Sequence, residues 1–230
     1  MNDGLRRVRW RDQAAAKNAE SASHALTEAP ARVWETLAQF PDAISALAQG
    51  AAREASWAAQ VLIGAPDYVW DAPALHPSVV HALAQAAAPH RYWASQVLTN
   101  APDYVWDALA THPDVIRALA QAAQQDRCAD RALQSAMAAT DAGSSDARAH
   151  AIRKAGALIA AAADLISIDV LTAWVRAAPP EALAQTDVIA AVLAQESRAA
   201  DASLIALLEA RVSSSSAPPP MPVGARRRRG

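Results

Sequence analysis

Cys128 is the single cysteine of the chain and stands between Arg127 and Arg131. Guanidinium groups beside a thiol favour the thiolate, the nucleophilic form, so covalent chemistry is conceivable here if the sulfur is exposed. A lone cysteine in an alanine-rich helix otherwise serves as a small buried apolar residue, and that is the reading adopted. A second candidate set is the carboxylates Asp67, Asp71, Asp103 and Asp107, with Tyr68 and Tyr104 among them. Paired carboxylates are the groups that general acid–base chemistry uses. The histidines, at 24, 76, 81, 90, 112 and 150, are scattered, and the closest two, His76 and His81, lie five apart across a helix-starting proline. There is no HExxH, no GxSxG and no glycine-rich phosphate loop.

The chain supplies its own control on these candidates. The octapeptide APDYVWDA occurs at residues 65–72 and again at 101–108, with a looser copy, APARVWET, from residue 29. A shift of 36 residues aligns three units, 29–64, 65–100 and 101–136, of which the second and third agree at 19 of 36 positions. A residue needed for chemistry should be singular, whereas one needed for packing should recur with tolerant exchanges. His76 and His112 exchange with Phe40, which fits an aromatic filler rather than a metal ligand. Asp71 and Asp107 exchange with Glu35, Asp67 and Asp103 with Ala31, and Tyr68 and Tyr104 with Arg32. These swaps suit capping or outward positions, so no catalytic residue, metal or cofactor is expected and the chain reads as non-enzymatic.

The elements that carry these residues follow from the prolines. Pro30, Pro66 and Pro102 recur at one place in the unit and Pro41, Pro77 and Pro113 at another. Proline favours the first turn of a helix and pushes the preceding residue out of helical geometry, so each unit should start two helices. Asp42, Asp67, Asp103 and Asp114 then fall where the helix dipole favours negative charge. A third helix closes the unit, as in EASWAAQVLIG and RYWASQVLTN. Helices of about ten residues are marginal alone and must be ordered by their neighbours. Trp34, Trp70 and Trp106 share one slot and Trp57 and Trp93 another. They read as wedges between units rather than as a stacking platform for rings. Ala129 replaces the second tryptophan in the third unit, where a looser layer is expected.

Composition narrows the classes further. Alanine provides 63 of 230 residues, against 7 Gly, 3 Tyr and 1 Phe, which favours an all-α fold. One cysteine excludes a disulfide scaffold and a thiolate cluster. No apolar run reaches the roughly 18 residues of a membrane span, the best, 155–163, ending at Asp164. The N-terminal MNDGLRRVRWRD lacks the apolar stretch of a secretory signal, so a cytoplasmic protein is expected. The net charge of −2 gives no global attraction to nucleic acid.

APDYVWDALATHPDVIRALAQAA, with its proline-led apolar spacing, resembles the helical repeats of the leucine-rich repeat variant class and, more broadly, HEAT-like solenoids. The variant class has a shorter period and its iron–sulfur members carry several cysteines. The resemblance therefore implies, over residues 29–136, a right-handed α-solenoid of three-helix repeats and no cofactor. Around that array the expected organisation is a partial capping repeat in 1–28, where SHALTEAP echoes SQVLTNAP, and a polar linker at 137–145. C-terminal helices follow in 146–212, at about 146–163, 168–178, 180–197 and 201–212, as possible degenerate repeats. A disordered tail at 213–230 contains Arg226, Arg227, Arg228 and Arg229. Residues 29–136 carry 6 basic and 10 acidic residues. The expected function is a protein-binding scaffold that holds a partner segment in its groove through Tyr68, Tyr104, Asp67 and Asp103. The alternative is a HEAT-like nucleic-acid-binding protein, including a DNA repair enzyme, with the Arg226–Arg229 tail as its basic element.

Overall fold

The computed structural model describes residues 18–37, 39–66, 77–142, 144–183, 206–208 and 210–211, and every element among them is helical. Asn18 accepts the Glu20 backbone N–H at 2.9 Å and opens α1 (Ala19–Glu28). Helix α2 (Ala31–Leu37) follows Pro30. Prolines then start α3 (Pro41–Ala51), α5 (Pro77–Ala87) and α8 (Pro113–Ala122), at the positions the sequence assigns to them. Pro102 caps α7 (Asp103–Leu109) rather than entering it. The third-helix segments are α4 (Ala55–Gly64) and α6 (Arg91–Asn100). In the third unit a 3₁₀ turn (Gln124–Asp126) leads into α9 (Cys128–Ala142).

Beyond residue 136 the organisation differs from the expected one. Helix α9 continues to Ala142 and α10 (Ser145–Ala162) begins three residues on, so residues 137–142 of the expected linker are helix. The reason is local: Met137, Ala138 and Ala139 are good helix formers, and Met137 also packs on the core. Among the described residues the break between the two helices falls at Ser144, whose hydroxyl accepts the Ala147 N–H at 3.4 Å. A 3₁₀ turn (Ala163–Leu165), α11 (Ile168–Ala177) and α12 (Pro180–Leu183) complete the described helices of this region, with helical residues again at 206–208 and 210–211. The remainder of the 180–197 and 201–212 expectations, with residues 1–17, 67–76 and the 213–230 tail, lies outside the described residues.

Two rows of helices pack on each other. In one, α1, α4, α6 and α9 touch in succession; in the other, α3, α5, α8 and α10 do. The rows join through α1 on α3, α4 on α5, α6 on α8 and α9 on α10, and α7 lies against α5, α8 and α10. The apolar columns follow the 36-residue spacing. Leu47, Leu83 and Leu119 are fully buried, as are Leu26, Leu62 and Leu98. Ala51, Ala87 and Ala123 form a third such column, whose small side chains let helices approach closely. The slot of Ala129 is closed rather than loose: Cys128, Ala129, Ala132 and Leu133, all on α9, are buried. Among the described residues no helix is long and apolar enough to cross a membrane.

Candidate functional surface

The tryptophans divide into two kinds. Trp106 on α7 is 2% exposed and Trp34 on α2 is 3% exposed, and neither indole Nε1 has a hydrogen-bond partner among the described residues. Trp57 on α4 and Trp93 on α6 are only half-buried. The His24 ring packs on Trp57 at 5.6 Å between centroids. Tyr92 meets Trp93 edge-on at 4.7 Å and is 62% exposed. The row α1, α4 and α6 thus carries partly open aromatic rings, while the α2 and α7 tryptophans are packing residues. Trp70 lies outside the described residues.

Tyr104 and Asp103 sit on the first turn of α7. The Tyr104 hydroxyl donates to the Ala65 carbonyl at 2.7 Å, so it ties α7 to the start of the preceding sequence unit. Asp103 is exposed. Asp67, Tyr68 and Arg226–Arg229 lie outside the described residues. Asp107 accepts from Arg153 of α10 at 2.8 and 3.2 Å and faces His150 at 3.0 Å. Partial burial pushes its carboxyl up, but Arg153 and His150 outweigh that and hold it below the ordinary carboxylate range. It forms an ion pair that joins α7 to α10.

Cys128 is fully buried, as the sequence reading holds. Arg131 donates to its Sγ at 2.9 Å, and the thiol reaches the Asp126 carbonyl at 3.8 Å. Arg91 forks onto Asp126, with 2.8 Å from Nε to Oδ2 and 2.6 Å from Nη1 to Gln125, and Ser95 adds a donor at 3.1 Å. The Arg91 bond holds the Asp126 carboxyl down at about 2. Arg117 of α8 pairs with Asp164 at 2.7 and 2.6 Å and also donates to the Ala161 carbonyl.

Two groups escaped sequence reasoning. Asp130 stands in the column of Ala58 and Ala94 yet is buried, accepting from the Ser167 N–H at the head of α11 at 2.8 Å and from Arg127 at 2.9 Å. Its signal was the charge in an alanine column. Lys154 of α10 is 8% exposed and lies over the Trp106 ring at 4.9 Å. Burial lowers its pKa and Asp103 partly opposes that. Nothing in the local sequence marks Lys154, because the ring it covers is 48 residues away. His112 holds the N-cap position of α8 as Phe40 does that of α3, and its ring packs on His81 at 4.6 Å.

Compared with known proteins, the chain matches no family model, no curated protein and no solved structure.

Proposed function

We propose that the chain is a non-enzymatic scaffold, a HEAT-like α-solenoid of 36-residue three-helix repeats that binds a protein segment along the row formed by α1, α4 and α6. The carrying observation is the division of the tryptophans. Trp34 and Trp106 meet the packing need from within, whereas Trp57 and Trp93 stay half-covered and Tyr92 stands in solvent beside Trp93. Aromatic groups with one open face are the usual anchors of protein interfaces. Residues 29–136 hold four more acidic than basic residues (10 against 6), which favours a partner segment with apolar anchors and basic flanks. Asp103 adds an exposed carboxylate on the first turn of α7, three residues after α6 ends, and the Tyr104 hydroxyl ties that turn to the Ala65 carbonyl. Support for the solenoid comes from the succession of like helices, each touching its counterpart one unit on.

Crosslinking pull-down from the native source tests this reading, with wild type compared against Tyr92→Ala combined with Asp103→Ala. Both positions are exposed, so the double variant keeps its fold. The expected outcome is a protein partner whose recovery drops at least about tenfold in the variant, as loss of an interface anchor predicts. Equal recovery from both forms, or no protein partner with wild type, defeats it.

A further inference from the structure

We propose that His81, His112 and Asp114 form a site for a divalent transition-metal ion of the zinc class, held between α5 and α8. One ligand atom from each residue lies within 4.8 Å of the other two. The His81 Nε2 to Asp114 Oδ2 distance is 3.6 Å. Metal bonds of about 2.0 to 2.2 Å in tetrahedral array place ligand atoms about 3.3 to 3.5 Å apart, so this pair is already at coordination spacing and small side-chain rotations bring in the third.

His112 Nε2 is buried with no hydrogen-bond partner among the described residues. A ring nitrogen left in that state is costly in a folded protein unless it has a use, and neutral imidazole is the commonest metal ligand. The three residues stand on regular elements: His112 at the N-cap of α8, Asp114 in its first turn, and His81 within α5. Two imidazoles and one carboxylate suit zinc, cobalt or nickel rather than calcium or magnesium, and three protein ligands leave a position for water. Arg117, one turn beyond Asp114, has its charge spent on Asp164.

The set is singular, which meets the criterion for chemistry that His112 alone does not. One unit earlier the same positions hold Ser45, His76 and Ser78, and one unit later the His81 position is Arg117. Stacking alone accepts serine and arginine at these places. Three donors coincide at this interface because His81 belongs to the second sequence unit and the other two to the third, so a bound ion would staple the two units together.

The sequence provides its own substitutions for the test: His81→Ser and Asp114→Ser copy the preceding unit, and His112→Phe copies the first. Asp114 is 69% exposed, so its replacement leaves the core intact. Isothermal titration of the full chain with zinc chloride is expected to show one saturable equivalent, weakened at least about tenfold by each substitution. Zinc at about a hundredfold above its dissociation constant should raise the wild-type melting temperature by about 5 to 10 °C, a shift the variants lose. Tetrahedral cobalt absorption in the visible range reports the same site. No saturable binding by wild type at about 100-fold molar excess over a micromolar affinity overturns the proposal. So does wild-type stoichiometry and affinity in both His81→Ser and Asp114→Ser with helicity retained, since the ion would then sit on other histidines.

Discussion

Replacing Trp106 by alanine separates a packing wedge from a ligand platform. The indole is 2% exposed, so truncation removes a fully buried ring where α7 meets its neighbours and costs about 3 to 5 kcal/mol. Lys154, 4.9 Å from the ring centre, loses a cation–π contact of about 0.5 to 2 kcal/mol. Against this, the Nε1–H has no hydrogen-bond partner among the described residues, and removing an unsatisfied buried donor returns about 1 to 3 kcal/mol. The net loss is about 3 kcal/mol. With a urea slope of about 2 to 3 kcal/mol per M for a chain of this size, the midpoint should fall by about 1 to 1.5 M in unfolding followed by far-ultraviolet circular dichroism. Trp106→Phe keeps most of the ring and discards the unpaired donor, so it should cost about 1 kcal/mol or less. Trp93→Ala, at a half-buried position, should cost about half as much as Trp106→Ala. A Trp106→Ala midpoint within about 0.3 M of wild type, or equal to that of Trp93→Ala, would refute the division of the tryptophans on which the proposed binding surface rests.

The ion pairs and one strained residue give sharper tests. Asp126 should titrate near 2, against an ordinary 3.8, in carboxyl carbon nuclear magnetic resonance, and Arg91→Ala should return it toward the ordinary value. Because the folded value is the depressed one, the stability this pair supplies is complete above 3.8 and disappears as pH falls through about 2. Arg127 has φ 50°, ψ 37°, a left-handed conformation that a Cβ disfavours. Arg127→Gly and Arg127→Ala both lose the Asp130 pair, so the glycine form should be more stable by about 1 kcal/mol in urea unfolding. Equal stabilities would count against that backbone geometry. Lys154→Met should stabilise by about 1 kcal/mol at pH 7, since an apolar chain of similar length avoids burying a charge and gives up the cation–π contact and the attraction to the exposed Asp103. Burial holds the folded Lys154 pKa below 10.5, so the cost of its charge is complete below that folded value and fades as pH rises toward 10.5. The advantage of methionine should shrink over the same range, and a constant difference across it would overturn the assignment.

What could be read in the sequence was local or periodic. Pro41, Pro77 and Pro113 mark helix starts because proline acts through its own ring and its immediate neighbour, and those helices begin there. The burial of Trp106 followed from its recurrence with Trp34, whereas that of Cys128 followed from the small apolar character of a lone cysteine among alanines and not from its column, where Tyr92 is exposed. The extent of α9 did not, because the drop in polarity after residue 136 is small and ATDAGSSD as a string reads as loop although its first half continues a helix. The polar contacts were out of reach for another reason. Arg91 and Asp126 are 35 residues apart, Arg117 and Asp164 are 47 apart, and Arg153 and Asp107 are 46 apart. None of these spacings is the 36-residue period, so aligning units compares each charge with its counterpart and never with its partner. The same limit hid His81 beside His112 and Asp114.

Recurrent apolar columns create a difficulty that these off-period contacts can resolve. The faces made by Leu47, Leu83 and Leu119, and by Leu26, Leu62 and Leu98, are so alike that a unit could pair with the wrong neighbour, in its own chain or in another copy, at little loss of burial. Each exposed ion pair adds only about 0.2 to 1 kcal/mol, far less than the apolar stacking. Specificity, however, is a difference between pairings, and in that difference the near-identical apolar terms cancel. What remains is which polar groups meet. The Arg91 position is Ala55 in the first unit, and the Arg117 position is Ser45 there, so a shifted pairing leaves Asp126 or Asp164 facing alanine or serine. Small interactions thereby select the neighbour while large ones supply the stability. Exchanging Arg91 and Arg117 for alanine together should accordingly raise the fraction of oligomer formed on refolding at high concentration more than it lowers the melting temperature, as size-exclusion chromatography and thermal unfolding would show. A drop in melting temperature with no change in oligomer content would place these pairs among ordinary surface contacts.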